Sequence, residues 1–309
     1  MSLPDFSASS ILVFGEVLAD VFPDRSVLGG APFNVACHLA AFGENPLFIS
    51  RTGEDSLRQE LIERMHRLGM TTRGVQIDPA HPTGEVQVQL DDKGGHVFRI
   101  KEDQAYDYID TAQALAAAVE HQPRLFYFGT LAQRGTVSRT TFRALNAQLG
   151  CTRLADINLR EPWFTLDVVM ETLAASDVVK MSLEELQWLA RELPLPGSEP
   201  ELWVKDLAGR FQLERVLITC GADGAWQWQP GQEQAIINAP PGRSSRAIID
   251  TIGAGDAFTA VIMLGLLRKW PDALSLNRAN AFARAVCGIR GALPADRDFY
   301  TPFLEVWDG

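Results

Sequence analysis

The segment Asp250-Thr251-Ile252-Gly253-Ala254-Gly255-Asp256-Ala257-Phe258 carries the densest chemical signal in the chain. Two glycines bracket an alanine, and an aspartate opens an apolar run, Ala257 to Leu267, that predicts a buried helix. Glycines let successive N–H groups point one way, and a helix start adds partial positive charge. Gly253, Ala254 and Gly255 therefore suit a phosphate, and Asp256 beside them can accept a proton from an incoming hydroxyl. The plainer reading is that Asp256 caps a core helix after a glycine turn, worth up to about 2 kcal/mol and no chemistry. Two rival phosphate motifs fail. G-x-x-x-x-G-K-[ST] does not occur, and Phe258 stands where the third glycine of G-x-G-x-x-G belongs.

Four further segments hold polar residues at places where strands and helices meet. Leu217 to Ala225 runs from an apolar strand into Thr219-Cys220-Gly221-Ala222-Asp223-Gly224, a turn that brings backbone near a ligand or simply closes a hairpin. Gly29-Gly30-Ala31-Pro32-Phe33-Asn34 leads a glycine pair into a helix, with Asp20 upstream, and offers an amide and a carboxylate to hydroxyls. Asp156-Ile157-Asn158-Leu159-Arg160 sets three polar side chains at and after a strand end. Lys180-Met181-Ser182-Leu183-Glu184-Glu185 joins a strand to a helix, and a reciprocal capping box explains Ser182 and Glu185 without further function.

These residues need elements to position them. Ile11 to Phe14, Leu47 to Ile49, Leu125 to Phe128, Leu154 to Ile157, Val178-Val179 and Val216 to Ile218 read as short, continuously apolar strands separated by helix-length segments. A helix is predicted after Pro32, with Phe33, Ala36, Leu39 and Ala40 on one face and Gly43 as its stop. Another runs from Asp55 to Leu68 through Leu57, Leu61 and Met65. Such alternation predicts an α/β fold with a mostly parallel sheet covered on both faces. One stretch breaks the rhythm. Val86, Val88 and Leu90 alternate with polar residues, Asp91 to Gly95 turns, and Phe98 and Ile100 alternate again, which predicts an antiparallel hairpin serving as a lid, a dimer surface or a solvated edge.

The 309 residues are 46% hydrophobic and 22% charged, ordinary for a globular protein with a large core, and no internal repeat or low-complexity tract interrupts them. A formal charge of −11 argues against a broad nucleic-acid footprint but leaves room for a small anion held by backbone amides. Ala257 to Leu267 is too short to cross a bilayer, and Met1 to Asp5 lacks the basic start of a secretory signal. Cys37, Cys151, Cys220 and Cys287 lie far apart and read as reduced, mostly buried thiols of a cytoplasmic protein. The five histidines show no metal spacing.

Taken in order, the glycine pair, the hairpin, Asp-x-Asn-x-Arg, Lys-x-Ser-x-x-Glu, Thr-x-Gly-x-x-Gly and Asp-Thr-x-Gly-Ala-Gly-Asp resemble the ribokinase-like (PfkB) carbohydrate kinases along almost the whole chain, and among them most of all the fructokinase group. The resemblance implies a single Rossmann-like α/β/α kinase domain over residues 1–309, with a small β-lid from about residues 15–30 and 84–104. It implies ATP-dependent phosphorylation of a primary sugar hydroxyl, with fructose the favoured acceptor and 2-keto-3-deoxygluconate, ribose or a nucleoside as alternatives.

By the same resemblance Asp256 is the catalytic base, and the Gly253-Ala254-Gly255-Asp256 backbone the anion hole. Asp20, Gly30, Asn34 and Arg160 fall at sugar-binding positions, and Arg99 joins Arg160 as a carboxylate clamp if the acceptor is the keto acid. Lys180, Ser182, Thr219, Gly221, Gly224, Gly255 and Asn280 fall near ATP, with Ser182 where the family usually has Asn. Glu185 takes the position that holds the water shell of Mg2+, and Asp250, Thr251 and Gly291 resemble part of a loop for a monovalent cation such as K+. The lid hairpin suggests a homodimer. A non-catalytic sugar or nucleotide sensor on the same scaffold finds support only in Ser182, and a nicotinamide dehydrogenase only in the alternating architecture.

Overall fold

A computed structural model describes residues 10–22, 25–90, 96–231, 236–238 and 247–307. The chain forms two compact units, one of Met1–Arg124, Gly135–Gly150 and Ala295–Gly309, the other of Leu125–Arg134 and Cys151–Pro294.

The first unit begins with β1 (Ser10–Phe14), which pairs in parallel with β4 (Asn45–Gly53), itself parallel to β5 (Val75–Asp78). A separate four-stranded sheet has the order β3-β2-β6-β7, made of β2 (Leu18–Val21), β3 (Ser26–Gly29), β6 (Gly84–Leu90) and β7 (His96–Ile100). Strands β6 and β7 pair antiparallel, as the period-two pattern predicts, with Val86 and Val88 buried and Gln87 exposed between them. The expected turn at Asp91 to Gly95 and the side chain of Phe98 lie outside the described residues.

The helices of this unit are α1 (Ala31–Ala41), α2 (Ser56–Arg67), α3 (Thr111–His121), α4 (Thr136–Gln148) and α10 (Thr301–Trp307). Asp55 caps α2, accepting the Arg58 amide at 3.0 Å, while Leu61 and Met65 form its buried face. Helix α1 differs from expectation: all eleven of its residues are buried, so it has no solvated face. Its two polar side chains are buried with the rest, and His38 Nδ1 lies 2.9 Å from the Tyr300 hydroxyl. Phe42, just beyond the helix, stacks on Trp307 with ring centroids 5.2 Å apart.

In the second unit β8 (Leu125–Gly129), β9 (Thr152–Asp156), β10 (Val178–Ser182) and β11 (Arg215–Thr219) are successive parallel neighbours. β12 (Ala225–Trp228) and β13 (Ile236–Asn238) then add on antiparallel. The helices are α5 (Leu166–Ala174), α6 (Leu183–Glu192), α7 (Pro200–Phe211), α8 (Ala254–Arg268) and α9 (Asp272–Val286). A core of Val179, Met181, Val216 and Ile218 from the strands meets Leu173, Leu186, Leu189, Val204 and Leu207 from the helices. Strands buried on both faces have to be apolar throughout, which is why these runs lack alternation.

The four cysteines are free, as expected, but only Cys37 is buried; Cys151, Cys220 and Cys287 are half-buried. The reason is position, since Cys151 precedes β9, Cys220 follows β11 and Cys287 caps α9. No helix among the described residues is long and apolar enough to cross a membrane.

Candidate active site

The carboxyl ends of parallel strands are where open α/β sheets present side chains to ligands. In the second unit that edge carries Asp156 at the end of β9, Lys180 and Ser182 on β10, and Thr219 at the end of β11. The register puts Lys180 directly opposite Asp156 and Ser182 opposite Thr219. The sequence names Lys180, Ser182 and Thr219 as candidates but gives Asp156 no role.

Asp256 lies in the first turn of α8, half-buried, and the turn before it is built on Gly253 at φ +76°. A Cβ on Gly253 would stand 2.3 Å from the Ala292 side chain and 2.5 Å from its Cα, so both the backbone angle and the space require glycine. Gly255 follows, and a Cβ there would come 3.2 Å from the Lys180 ammonium. The predicted anion-binding turn and the predicted phosphate-side lysine thus converge. Lys180 Nζ donates to Asp156 Oδ1 at 3.1 Å and Oδ2 at 3.0 Å, and the Thr259 hydroxyl bonds both the Gly255 carbonyl (2.9 Å) and Asp156 Oδ2 (3.3 Å). Burial pulls the Lys180 ammonium toward neutrality, but the charges of Asp156, Glu185 and Asp256 more than reverse this and hold it above the usual lysine range.

Ser182 caps α6 in the predicted reciprocal box: its hydroxyl accepts the Glu185 amide at 3.2 Å, and Glu185 Oε2 accepts the Ser182 amide at 2.7 Å. Glu185 Oε1 accepts the amide of Leu159 at 2.7 Å, a contact the sequence does not reveal. Burial pushes the Glu185 carboxyl up, opposed by Lys180 and by these amides. Between β11 and β12 the predicted turn is the hairpin reading: the Cys220 amide bonds the Gly224 carbonyl at 2.7 Å, with Gly221 and Gly224 both at positive φ. Asp250 accepts the amides of Ile252 and Gly291, each at 3.0 Å, so Asp250 and Gly291 do meet, while Thr251 is exposed. Asn280 is buried on α9, and Arg160 is exposed, its guanidinium bonding the carbonyl of Leu159.

In the first unit Gly30 precedes α1 at φ +105°, where a Cβ would stand 2.8 Å from the Glu16 carbonyl oxygen. Asn34 is buried one turn further on, its main-chain N–H donating to the Gly30 carbonyl at 2.8 Å. Asp20 is half-buried on β2, and Arg99 is exposed on β7 of the same four-stranded sheet. A cavity of about 570 Å³ in this unit is lined by Arg51, Asp78, His81 and Tyr108 among others, and none of the candidate residues lines it.

A family profile described as pfkB family carbohydrate kinase matches residues 6–297, and the chain belongs to that family. It is 29% identical to a fructokinase of Klebsiella pneumoniae, over 93% of this chain and 97% of that one. An uncharacterized sugar kinase of Pyrococcus horikoshii superposes with a TM-score of 0.78 at 27% identity, covering 95% of this chain and 97% of the other. A fructokinase of Vibrio cholerae, solved with fructose, ADP and a calcium ion, gives 0.76 at 26% identity over 96% and 99%. The protein is therefore a carbohydrate kinase of three-layer, ribokinase-like α/β fold.

Proposed function

We propose that this kinase transfers the terminal phosphoryl group of ATP to a primary hydroxyl of fructose, with Asp256 as the base and the Gly253–Asp256 backbone as the anion hole. The observation that supports this most is the junction at α8, where a left-handed glycine turn, an acid in the first helical turn and the Lys180 ammonium come together. Phosphoryl transfer asks a protein for alignment and charge neutralisation rather than covalent chemistry. The amides at the start of α8 and the Lys180 ammonium answer the second demand.

Asp256 orients the acceptor hydroxyl. As the new O–P bond forms and the bond from phosphorus to the ADP oxygen breaks, the hydroxyl proton passes to the Asp256 carboxylate. A carboxylate is too weak a base to ionise an alcohol beforehand, so the proton leaves late. Asp20, Gly30, Asn34 and Arg160 serve the sugar, while Ser182, Thr219, Gly221, Gly224 and Asn280 serve the nucleotide. The small sheet β3-β2-β6-β7 acts as a lid that excludes water, and its edge offers a surface for a second copy of the chain.

Magnesium supplies charge screening along the phosphate chain when bound. Among the described residues no group of three or more His, Cys, Asp or Glu could enclose a metal, and both oxygens of Glu185 take main-chain amides. That donor set fits an ion that arrives on the nucleotide and meets Glu185 through water. Asp250, Thr251 and Gly291 belong to a loop that holds a monovalent cation such as K+ through its carbonyl groups.

The acceptor is supported by the fructokinases among the relatives. It is tested by ADP release over a panel of fructose, 2-keto-3-deoxygluconate, ribose and nucleosides, with and without magnesium. Fructose should give the highest kcat/KM. Faster turnover of the keto acid would move the acceptor, and sugar binding with no ADP release on any member would replace the kinase by a sensor.

A further inference from the structure

Two opposite charges buried side by side inside apolar strands call for an explanation. Asp156 is 1% exposed and Lys180 7%, and each stands in an otherwise apolar stretch of neighbouring parallel strands, in register. A pair of this kind contributes little to stability beyond what apolar residues of the same volume would give. Its geometry is specific, however. Both Asp156 oxygens take the ammonium, and Oδ2 also shares the one Thr259 hydroxyl proton with the Gly255 carbonyl. The ammonium itself lies so close to Gly255 that a Cβ there would meet it at 3.2 Å.

We propose that Asp156 is a positioning residue of the phosphoryl-transfer site: it holds the Lys180 ammonium against the Gly255 end of the anion-binding turn and, through Thr259, ties that turn to the sheet. The proposal rests on the reading of Gly253–Asp256 as the anion hole. Asp156 touches neither sugar nor nucleotide in this scheme and acts through Lys180. An ammonium has three donors, and the two spent on Asp156 aim the remaining charge at the turn. The other charged groups facing Lys180 are Glu185 from α6 and Asp256 from α8.

The test is Asp156→Asn, which keeps shape and removes charge, beside Asp156→Glu, which restores a carboxylate. Asp156→Asn should lower kcat by about 10- to 100-fold with the sugar KM unchanged. It should also bring the alkaline limb of kcat and of ADP affinity to lower pH than in the wild type, because a buried ammonium without its nearest partner gives up its proton more easily. Glu185 and Asp256 are present in all the proteins, so that limb reports Asp156 alone, and Asp156→Glu should recover most of it. Wild-type kcat with an unmoved limb in Asp156→Asn would overturn the proposal.

If Asp156→Asn does not fold, Thr259→Val, which cuts the link to the Gly255 carbonyl without unpairing a charge, takes its place. A kcat down by about three- to tenfold supports the tie, and a wild-type kcat overturns it. ADP affinity against pH is read by calorimetry without any acceptor. A wild-type protein that phosphorylates nothing on the panel therefore removes the functional reading while this test still gives its answer.

Discussion

The Glu185 side chain, in the first turn of α6, reaches back 26 residues to accept the main-chain N–H of Leu159 at 2.7 Å. Its other oxygen takes the Ser182 amide. One carboxylate thus joins the exits of β9 and β10, and the first of these leads directly to Arg160. Glu185→Ala should remove the acceptor of two amides at once and cost about 2 to 4 kcal/mol in urea unfolding. Glu185→Gln keeps one acceptor and should lose roughly half as much. Equal stability of both variants and the wild type would show that water replaces the carboxylate at no cost.

Asp256→Asn keeps the size and position of the side chain and removes its basicity. Turnover should fall by about 10²- to 10⁴-fold while ADP binding, measured by calorimetry, stays within about threefold. Near-normal turnover would take Asp256 out of the role of base.

Gly253→Ala adds one methyl group at φ +76°, against the side chain and Cα of Ala292. Left-handed backbone costs an alanine about 1 to 2 kcal/mol before any clash is counted. The variant should therefore lose about 2 kcal/mol or more in thermal or urea unfolding and bind ADP more weakly, because the start of α8 has to move. A variant as stable as the wild type would mean that the turn has slack the geometry does not suggest.

The carboxyl of Asp55 is held below the ordinary range: burial works against it, but the amide and hydroxyl of Thr83 and the amides of Arg58 and Leu57 outweigh burial. A depressed acid binds fewer protons folded than unfolded. Its contribution is therefore present above about pH 3.8, the unfolded value, and is lost as the pH falls through the lower folded value. Asp55→Asn still caps a helix, so it should cost roughly 1 kcal/mol at pH 7. In urea titrations the gap from wild type should hold at pH 7 and narrow as the pH falls below about 3.8 and through the lower folded value. A gap of the same size across that range would assign the effect to shape rather than charge.

Much of this molecule could be read from its residues in order. The apolar runs at Leu125 to Phe128 and Val216 to Ile218 are strands because a doubly covered sheet admits little else, and Asp55 and Ser182 mark helix starts because their side chains satisfy amides the helix leaves open. Helix α1 misleads. Asn34 and His38 suggest a wet face, yet both are buried, and the partner of His38 comes from Tyr300, far down the chain. Strand β4 runs on through Ser50, Arg51 and Thr52, polar residues that no strand pattern picks out, because β5 pairs with them. The Asp156–Lys180–Thr259 cluster was hidden for a similar reason. Its signal is one acid and one base in adjacent apolar strands, and only the register tells that they face each other.

The hydrogen bond between His38 and Tyr300 spans 262 residues and lies inside the first unit. During synthesis, α1 emerges long before its partner has been made. At about 5 to 20 residues per second the ribosome needs on the order of 13 to 50 seconds to cover that distance. Throughout that interval Phe42 lacks the Trp307 ring that stacks on it. A nascent chain of this kind has to carry an open apolar flank for most of its time on the ribosome, a natural landing place for a chaperone, and a stop codon ahead of Tyr300 would leave that flank open for good.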